Sequence, residues 1–202
     1  MTEAQVDTKK KIIEAASYLF GEKGFDGTST REIGRRAGVN ISSLNYHFKS
    51  KQNLMEEVAF FACEEFKAKV KTVAANPELK NTADFALSLF DALLEDGQKC
   101  LNEFKLFIDA KSIPGDLGDS PMGYEDMNVF LKKELNANVP DHEYMYFNNI
   151  VISYLVHTAI ISMAYVGKQY IERFLPNKEA STREYLKTLV NTLIKDLNNR
   201  YP

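Results

Sequence analysis

The sequence has few of the residues that build disulfide or metal sites. Only two of its 202 residues are cysteines, Cys63 and Cys100, and only three are histidines, at positions 47, 142 and 157. The cysteines lack CxxC spacing and the histidines lack HExxH spacing, so the common disulfide scaffolds and zinc sites are not predicted. A glycine-rich phosphate loop is missing as well. We therefore expect no enzyme, no cofactor and no metal, with both thiols buried in a reducing compartment.

Strand-like alternation, internal repeats and low-complexity segments are missing too. Apolar residues instead recur at intervals of three and four, which predicts an all-α chain of about nine helices. The run at 114–123 is dense in glycine, proline and aspartate and is predicted to be a loop. The N-terminal run MTEAQVDTKKK has no apolar core after its charges, so we expect no secretion signal and a cytoplasmic location.

Charged residues are absent from residues 144–167. A run of this length raises the question of a transmembrane helix. It contains several asparagine, serine and threonine residues and His157, however, and such polar groups are costly in lipid. We therefore predict a helix that protein buries on nearly all sides, and no membrane partner.

The small net charge of −3 conceals an uneven distribution. Residues 1–51 contain nine Lys and Arg against six Asp and Glu, whereas the rest of the chain contains sixteen against twenty-two. A positive N-terminal segment on an otherwise acidic chain is typical of a protein that binds nucleic acid at that end.

Residues 28–51 are predicted to form two short helices joined by a tight turn. Thr30 is the expected N-cap of the first, and Ile33 and Ala37 lie four residues apart on its buried face. Gly38 can adopt the left-handed conformation that ends a helix, and Val39 fills the space between the two helices.

The second helix of the pair combines an apolar face with a polar one. Asn40 or Ser42 can cap it, and Leu44 and Phe48 are expected to face inward. Its outward side chains can donate to phosphate oxygens or pair with base edges, and none is acidic. They are Ser43, Asn45, Tyr46 and His47.

The runs TREI, AGV and YHFKSK at these spacings resemble the N-terminal domain of the tetracycline-repressor (TetR) family of bacterial transcription regulators. The resemblance covers about the first fifty residues, and Asn45 departs from the tyrosine of many members. It implies phosphate contacts from Thr30, Ser43, Tyr46, His47 and Lys51. It also implies contacts at or near base edges from Arg31, Ile41, Ser42 and Asn45. The alternative is a helical hairpin whose basic face is merely solvated.

The remaining chain is predicted to be helical. The first helix is expected over 7–22 with Asp7 or Thr8 as its cap, and a connecting helix over 51–74 with Ser50 as its cap. Further helices are expected to begin at Thr82, near Leu101 and at Tyr124, followed by 142–168 and 181–198. We divide the chain into a helix-turn-helix DNA-binding domain, residues 1–51, and a helical ligand-binding and dimerisation domain, residues 52–202.

The sequence thus predicts a ligand-responsive regulator, expected to be a repressor, that binds a palindromic double-stranded DNA operator as a homodimer. The uncharged 142–168 helix and the 181–198 helix are the candidate dimer interface, as the resemblance also implies. The resemblance also implies a small effector, which we expect to be apolar or aromatic and to release the DNA when it binds. The candidate effector-binding residues are Phe66, Phe104, Phe107, Tyr124, Phe147, Tyr154 and His157. The alternatives are core packing for each of these side chains and a helical ligand carrier for the whole chain.

Overall fold

The computed structural model describes residues 3–95, 102, 106, 124–163 and 178–202. Over these ranges the chain forms eight helices and no strand, which confirms the all-α prediction. Asn102 and Leu106 are also helical, but the remainder of the helix predicted near Leu101 and the loop at 114–123 lie outside the described residues. The helices are α1 (Glu3–Lys23), α2 (Thr30–Ala37), α3 (Ile41–Phe48), α4 (Lys51–Ala74), α5 (Thr82–Glu95), α6 (Tyr124–Glu134), α7 (Asp141–Met163) and α8 (Lys178–Arg200).

Contacts along the chain divide it into two compact units. The first comprises Met1–Glu65 and Gln98–Asp119, and the second comprises Phe66–Gly97 and Ser120–Pro202. Helix α4 contributes residues to both units. The proposed domain boundary at residue 51 stays a prediction.

The first unit is built around the apolar stripes of α1 to α4. The helical spacing of apolar residues in each helix places one side chain per turn in a common core, and burying each large side chain contributes roughly 1.5–3 kcal/mol. Phe25, in the turn after α1, packs against this core with its ring 5.6 Å from that of Phe20. The buried members include Ile12, Ala16, Phe20, Ile33, Leu44, Phe48, Leu54 and Val58.

Helix α1 is longer than its sequence signals indicate. It begins at Glu3, so the predicted cap at Asp7 or Thr8 is wrong. Asp7 lies within the helix and pairs with Lys11, one turn later, at 2.5 Å. A carboxylate that could cap a helix therefore acts here as the partner of an i,i+4 ion pair.

The second unit is organised around α5, which packs against α6, α7 and α8. Its start at Thr82 is confirmed, and two side chains fix it. Asn81 accepts a hydrogen bond from the Asp84 N–H at 2.8 Å, and the Glu134 carboxylate accepts from the Thr82 N–H at 2.7 Å. On the buried face, Phe85 stacks on Phe130 of α6 with ring centroids 5.5 Å apart.

Helix α7 does not match the prediction that protein buries it on nearly all sides. Phe147, Val151 and Leu155 are buried in the second unit, but the chain leaves the opposite face exposed. We call this face the α7 stripe. It comprises Met145, Tyr146, Asn149, Ile150, Ser153 and His157.

Two further observations bear on the long helices. No helix in the part of the chain that the structure describes is long and apolar enough to cross a membrane. In α8, the helical spacing of the apolar residues predicts one buried face that includes Tyr185, Leu186, Val190 and Leu197. Leu186, Val190 and Leu197 are buried, whereas Tyr185 is 66% exposed. The predicted end of the α7 helix beyond Met163 lies outside the described residues.

Candidate nucleic-acid interface

Helix α2 begins with a reciprocal pair of hydrogen bonds between Ser29 and Glu32. The Ser29 hydroxyl oxygen accepts from the Glu32 N–H at 3.2 Å, and the Glu32 carboxylate accepts from the Ser29 N–H at 3.0 Å. This arrangement is a capping box, which satisfies two amide groups that helix ends leave unpaired. The N-cap is therefore Ser29, and the prediction of Thr30 is wrong by one residue. Thr30 is instead the first residue of the helix.

The capping box also keeps the Glu32 carboxylate ionised. The Lys23 ammonium donates to Glu32 at 2.8 Å. This hydrogen bond and those from Ser29 lower the pKa of Glu32 from 4.5 to about 2. The only carboxylate in the predicted helix pair thus stays ionised, at the positive end of the α2 dipole and already paired with a lysine.

The turn between α2 and α3 has the predicted geometry. Gly38 ends α2 with φ 69° and ψ 29°, in the left-handed region that a side chain disfavours. The Asn40 side chain then caps α3 by accepting from the Ser43 N–H at 2.7 Å. Leu44 and Phe48 are buried to 1% and 2% exposure, which fixes the rotation of α3 about its own axis.

That rotation places the predicted contact side chains on the opposite face. Ser42 and Asn45 are exposed, Ile41 is 40% exposed and Tyr46 is 71% exposed. Ser43 and His47 are half-buried, and the Tyr46 and His47 rings meet edge to face at 5.3 Å. The exposed face of α3 therefore consists of hydrogen-bonding groups with one aliphatic side chain and no carboxylate.

The preceding helix, α2, carries three exposed cations. Arg31, Arg35 and Arg36 are all exposed. The Arg36 guanidinium stacks on the ring of Tyr18 in α1, with Cζ 3.5 Å from the ring centroid. Stacking of this kind holds a guanidinium in one position and leaves its N–H groups able to donate.

Lys51, for which the resemblance implies a phosphate contact, is bound within the first unit. Its ammonium donates to the carbonyl oxygen of Phe25 at 2.8 Å and to that of Thr28 at 3.1 Å, and lies 4.2 Å from the centroid of the Phe25 ring. The implied phosphate contact must therefore compete with two hydrogen bonds inside the first unit, and it stays a prediction.

Sequence reasoning missed the part that Thr28 plays in the same turn. Thr28 is only 2% exposed, and its hydroxyl donates to the carbonyl oxygens of Leu19 at 3.1 Å and Gly24 at 2.9 Å. A threonine between two turn signals gives no indication of burial. Its position depends on the packing of α1 against α2.

Comparisons with known proteins agree with this geometry. Residues 12–58 match the family model described as bacterial regulatory proteins, tetR family. Over these residues the chain is similar to the N-terminal domain of the TetR family. The matched residues include α2, α3 and the face described above, and TetR-family proteins are transcription regulators rather than enzymes.

Individual relatives cover different shares of the chain. YttP of Bacillus subtilis (strain 168), named as an HTH-type transcriptional regulator, is 43% identical over 90 residues, which is 44% of each chain. The HTH-type negative regulator IcaR of the biofilm operon icaADBC in Staphylococcus aureus (strain Newman) is 26% identical over 63% of this chain and 67% of its own length. This chain thus spans less than half the length of the first relative.

A solved structure extends the similarity of fold. A TetR variant from Acinetobacter baumannii AYE, in complex with minocycline, is 23% identical and superposes with a TM-score of 0.60 over 94% of both chains. At this identity the match shows similarity of fold alone.

The predicted effector-binding residues do not share one environment. Phe147 is buried in the second unit, Phe66, Tyr124 and Tyr154 are half-buried, and His157 is exposed. Burial raises the pKa of Tyr124, whose hydroxyl donates to Asn149. Phe104 and Phe107 lie outside the described residues.

Two of these side chains meet in an open groove. Tyr154 and His157 lie on α7 and face Leu189 of α8 across a surface groove of about 540 Å³. The groove also includes part of the α7 stripe, so these two residues lie on an outer surface of the chain rather than in an enclosed cavity. Their assignment to an effector pocket stays a prediction.

Among the described residues no three His, Cys, Asp or Glu side chains are grouped to hold a metal ion.

Proposed function

We propose that the chain is a ligand-responsive transcription regulator that binds a palindromic DNA operator as a homodimer and represses until a small effector releases it. The exposed face of α3 carries this proposal. It presents Ser42, Asn45 and Tyr46 on a helix whose other face is fixed in the core. A helix of this kind fits the major groove, where asparagine can pair with adenine and hydroxyl groups can bind phosphates.

The arginines of α2 support the same orientation. A duplex that received α3 in its major groove would place phosphates on both sides of the helix. Arg31 and Arg35 are exposed on the preceding helix, and we assign them to the backbone and neighbouring base edges. Thr30, Ser43 and His47 are assigned to phosphate contacts, because each can donate a hydrogen bond and none is fully buried.

The α7 stripe supports a dimer. Met145, Tyr146 and Ile150 are 46%, 55% and 46% exposed, and they lie on one face with no charged residue between them. An apolar face of this kind is typical of an interface with a second copy of the chain. Two copies would place two α3 helices about 34–36 Å apart, one turn of DNA.

Release by an effector requires that the effector bind two conformations with different affinities. Helix α4 contributes residues to both units, so a change in its position would change the spacing of the two α3 helices. Relatives support both parts of this scheme: IcaR is named a negative regulator, and the TetR variant was solved with minocycline. We expect an effector of similar class, with apolar or aromatic surface, because the second unit is rich in aromatic side chains.

Selection from a random-sequence pool of duplex DNA tests the proposal. The purified chain should enrich an inverted repeat, and binding should weaken steeply with salt because phosphate contacts release counterions. Asn45→Asp places a carboxylate on the α3 face and should prevent enrichment. Asn199→Asp makes the same change on an exposed position of α8 and should not.

Two outcomes would contradict the proposal. If no sequence is enriched and the chain binds no duplex at low salt, it is not an operator-binding protein. If Asn45→Asp and Asn199→Asp enrich the same repeat equally well, the chain binds DNA through a surface other than α3.

A further inference from the structure

The connection between α3 and α4 contains an unusual backbone turn. Lys49 has φ 57° and ψ −39°, and the Ser50 N–H donates to the carbonyl oxygen of Phe48 at 2.5 Å. A hydrogen bond across three residues with positive φ at the centre is a γ-turn of the rarer, strained kind. Lys49 is the one non-glycine residue with positive φ among those that the structure describes.

The turn has a clear structural purpose. It allows α4 to start at Lys51, three residues after α3 ends at Phe48, and the Ser50 hydroxyl oxygen caps α4 by accepting from the Asn53 N–H at 3.0 Å. The Lys49 N–H meanwhile donates to the carbonyl oxygen of Asn45 at 2.9 Å and closes the last turn of α3. None of these contacts uses the side chain of Lys49. Glycine would provide them with less strain.

The side chain of Lys49 therefore needs a separate explanation. It is exposed, and its ammonium has no hydrogen bond or ion pair with any residue that the structure describes. Other lysines of the first unit are engaged: Lys9 pairs with Glu57 at 2.9 Å and Lys23 pairs with Glu32 at 2.8 Å. A strained residue that the fold does not require is a candidate for a functional role.

Lys51, two residues later, shows the opposite arrangement. Its position at the start of α4 carries no strain, and its ammonium is bound to the carbonyl oxygens of Phe25 and Thr28. It joins the start of α4 to the turn after α1. Its side chain thus has a structural function whether or not DNA is present.

We propose that Lys49 binds a phosphate of the DNA backbone at the C-terminal end of α3, and that Lys51 acts as a structural brace. This inference rests on the proposed DNA-binding function, and it assigns to Lys49 the phosphate contact that family resemblance implies for Lys51. An ammonium in this position would attract a phosphate beside the groove that α3 enters and would carry no sequence information.

Salt dependence of DNA binding tests the proposal. The probe is a fluorescein-labelled duplex of random sequence, and its anisotropy is followed from about 50 to about 200 mM salt. For Lys49→Ala, the slope of log affinity against log salt should decrease in magnitude by about one, because one phosphate contact is lost. Lys49→Arg should keep the wild-type slope. Lys49→Gly should lose the same contact as Lys49→Ala and raise the melting temperature, because glycine accommodates positive φ.

Lys51→Met is the matched control. It keeps most of the apolar stem and removes the ammonium, so the two carbonyl oxygens lose their donor and the melting temperature should fall. The slope, measured below that temperature, should stay at the wild-type value. Lys51→Arg retains the positive charge, so its melting temperature should lie closer to that of the wild type than the melting temperature of Lys51→Met does.

Each contrary result has its own meaning. If Lys49→Ala keeps the wild-type slope while the wild type binds duplex DNA, the Lys49 assignment is wrong and the proposed function stands. If Lys51→Met is folded and loses one unit of slope, the brace assignment is wrong. If the wild type shows no salt-dependent binding to duplex DNA, the proposed function and the Lys49 assignment are both wrong.

Discussion

Two exposed surfaces, the outer face of α3 and the α7 stripe, lack carboxylates but differ in chemistry. The α3 face carries hydroxyl, amide and imidazole groups beside the arginines of α2, and Tyr46 is its most exposed ring at 71%. The α7 stripe contains Met145, Tyr146 and Ile150, all about half exposed, with no cation among them. Exposure alone does not distinguish a DNA surface from a protein surface. The neighbouring charges and the hydrogen-bonding capacity do.

The two surfaces also differ in how they are held. Short-range hydrogen bonds at Ser29, Gly38 and Asn40 fix α3 within a few residues of sequence. The α7 stripe is exposed because only the opposite face of α7 packs in the second unit, through contacts with residues far away in sequence. Substitutions at the caps should therefore change the position of α3. A charge introduced into the α7 stripe should instead weaken its contact with a second chain.

The largest expected effect is the loss of the dimer. Ile150→Lys places an ammonium in the α7 stripe, and an unpaired charge buried between two chains costs roughly 3–5 kcal/mol. Light scattering should give the wild type the mass of two 23.0 kDa chains and the variant the mass of one. The variant should also lose cooperative binding to an inverted repeat.

Val129→Lys is the control for that prediction. Val129 is 49% exposed on α6, close to the 46% of Ile150, but it lies outside the stripe. This variant should remain a dimer. A dimer in both variants would place the interface elsewhere.

A smaller effect is expected on the α3 face. Asn45→Ala should reduce discrimination at one base pair by roughly 1–3 kcal/mol, because the amide that pairs with a base edge is removed. Tyr46→Ala should weaken selected and random duplexes by similar factors, since a phosphate contact does not depend on sequence. Competition binding with single-base variants of the enriched repeat measures both. An unchanged preference in Asn45→Ala would show that another residue reads the base.

A smaller effect, on stability, is expected at the N-terminus of α2. Ser29→Ala should lower the free energy of unfolding by about 1 kcal/mol, because the Glu32 N–H loses its acceptor. Thr30→Ala should change it little, since Thr30 is the first helical residue. Urea denaturation of both variants measures the difference. If Thr30→Ala lowered the free energy of unfolding more than Ser29→Ala, Thr30 rather than Ser29 would be the N-cap.

The smallest expected effect concerns acid stability. The hydrogen bonds from Lys23 and Ser29 lower the pKa of Glu32 to about 2, below its ordinary value of 4.5. Folding therefore favours the ionised form, so this contribution is present above about pH 4.5 and is lost as the pH falls towards 2. Glu32→Gln should flatten the pH dependence of stability in that range. The same slope in both proteins would contradict the pKa assignment.

Sequence signals predicted the parts of the molecule that local geometry determines. Gly38, Asn40 and Ser50 act as expected because a cap or a left-handed turn depends on the adjacent residues. The inward faces of α3 and α8 followed from helical spacing, except at Tyr185.

Features set by distant residues could not be predicted in this way. Lys51 binds a carbonyl oxygen 26 residues earlier, and Thr28 is buried by packing that its own neighbours do not indicate. The absence of charge in α7 predicts burial by protein, but it does not show which face of the helix packs within the chain and which is exposed. Ser29 was missed because Ser29 and Thr30 are both good caps, and the position of Glu32 three residues after Ser29 decides between them.

Photochemical crosslinking tests most directly whether the α3 face enters DNA. A benzophenone side chain at Tyr46 and one at Tyr185 compare two exposed tyrosines, at 71% and 66%, on different units. With the enriched duplex at low salt, the position-46 protein should crosslink to DNA and lose the crosslink as salt is raised, while the position-185 protein should not crosslink. Equal crosslinking at both positions, or crosslinking at position 185 alone, would contradict the account.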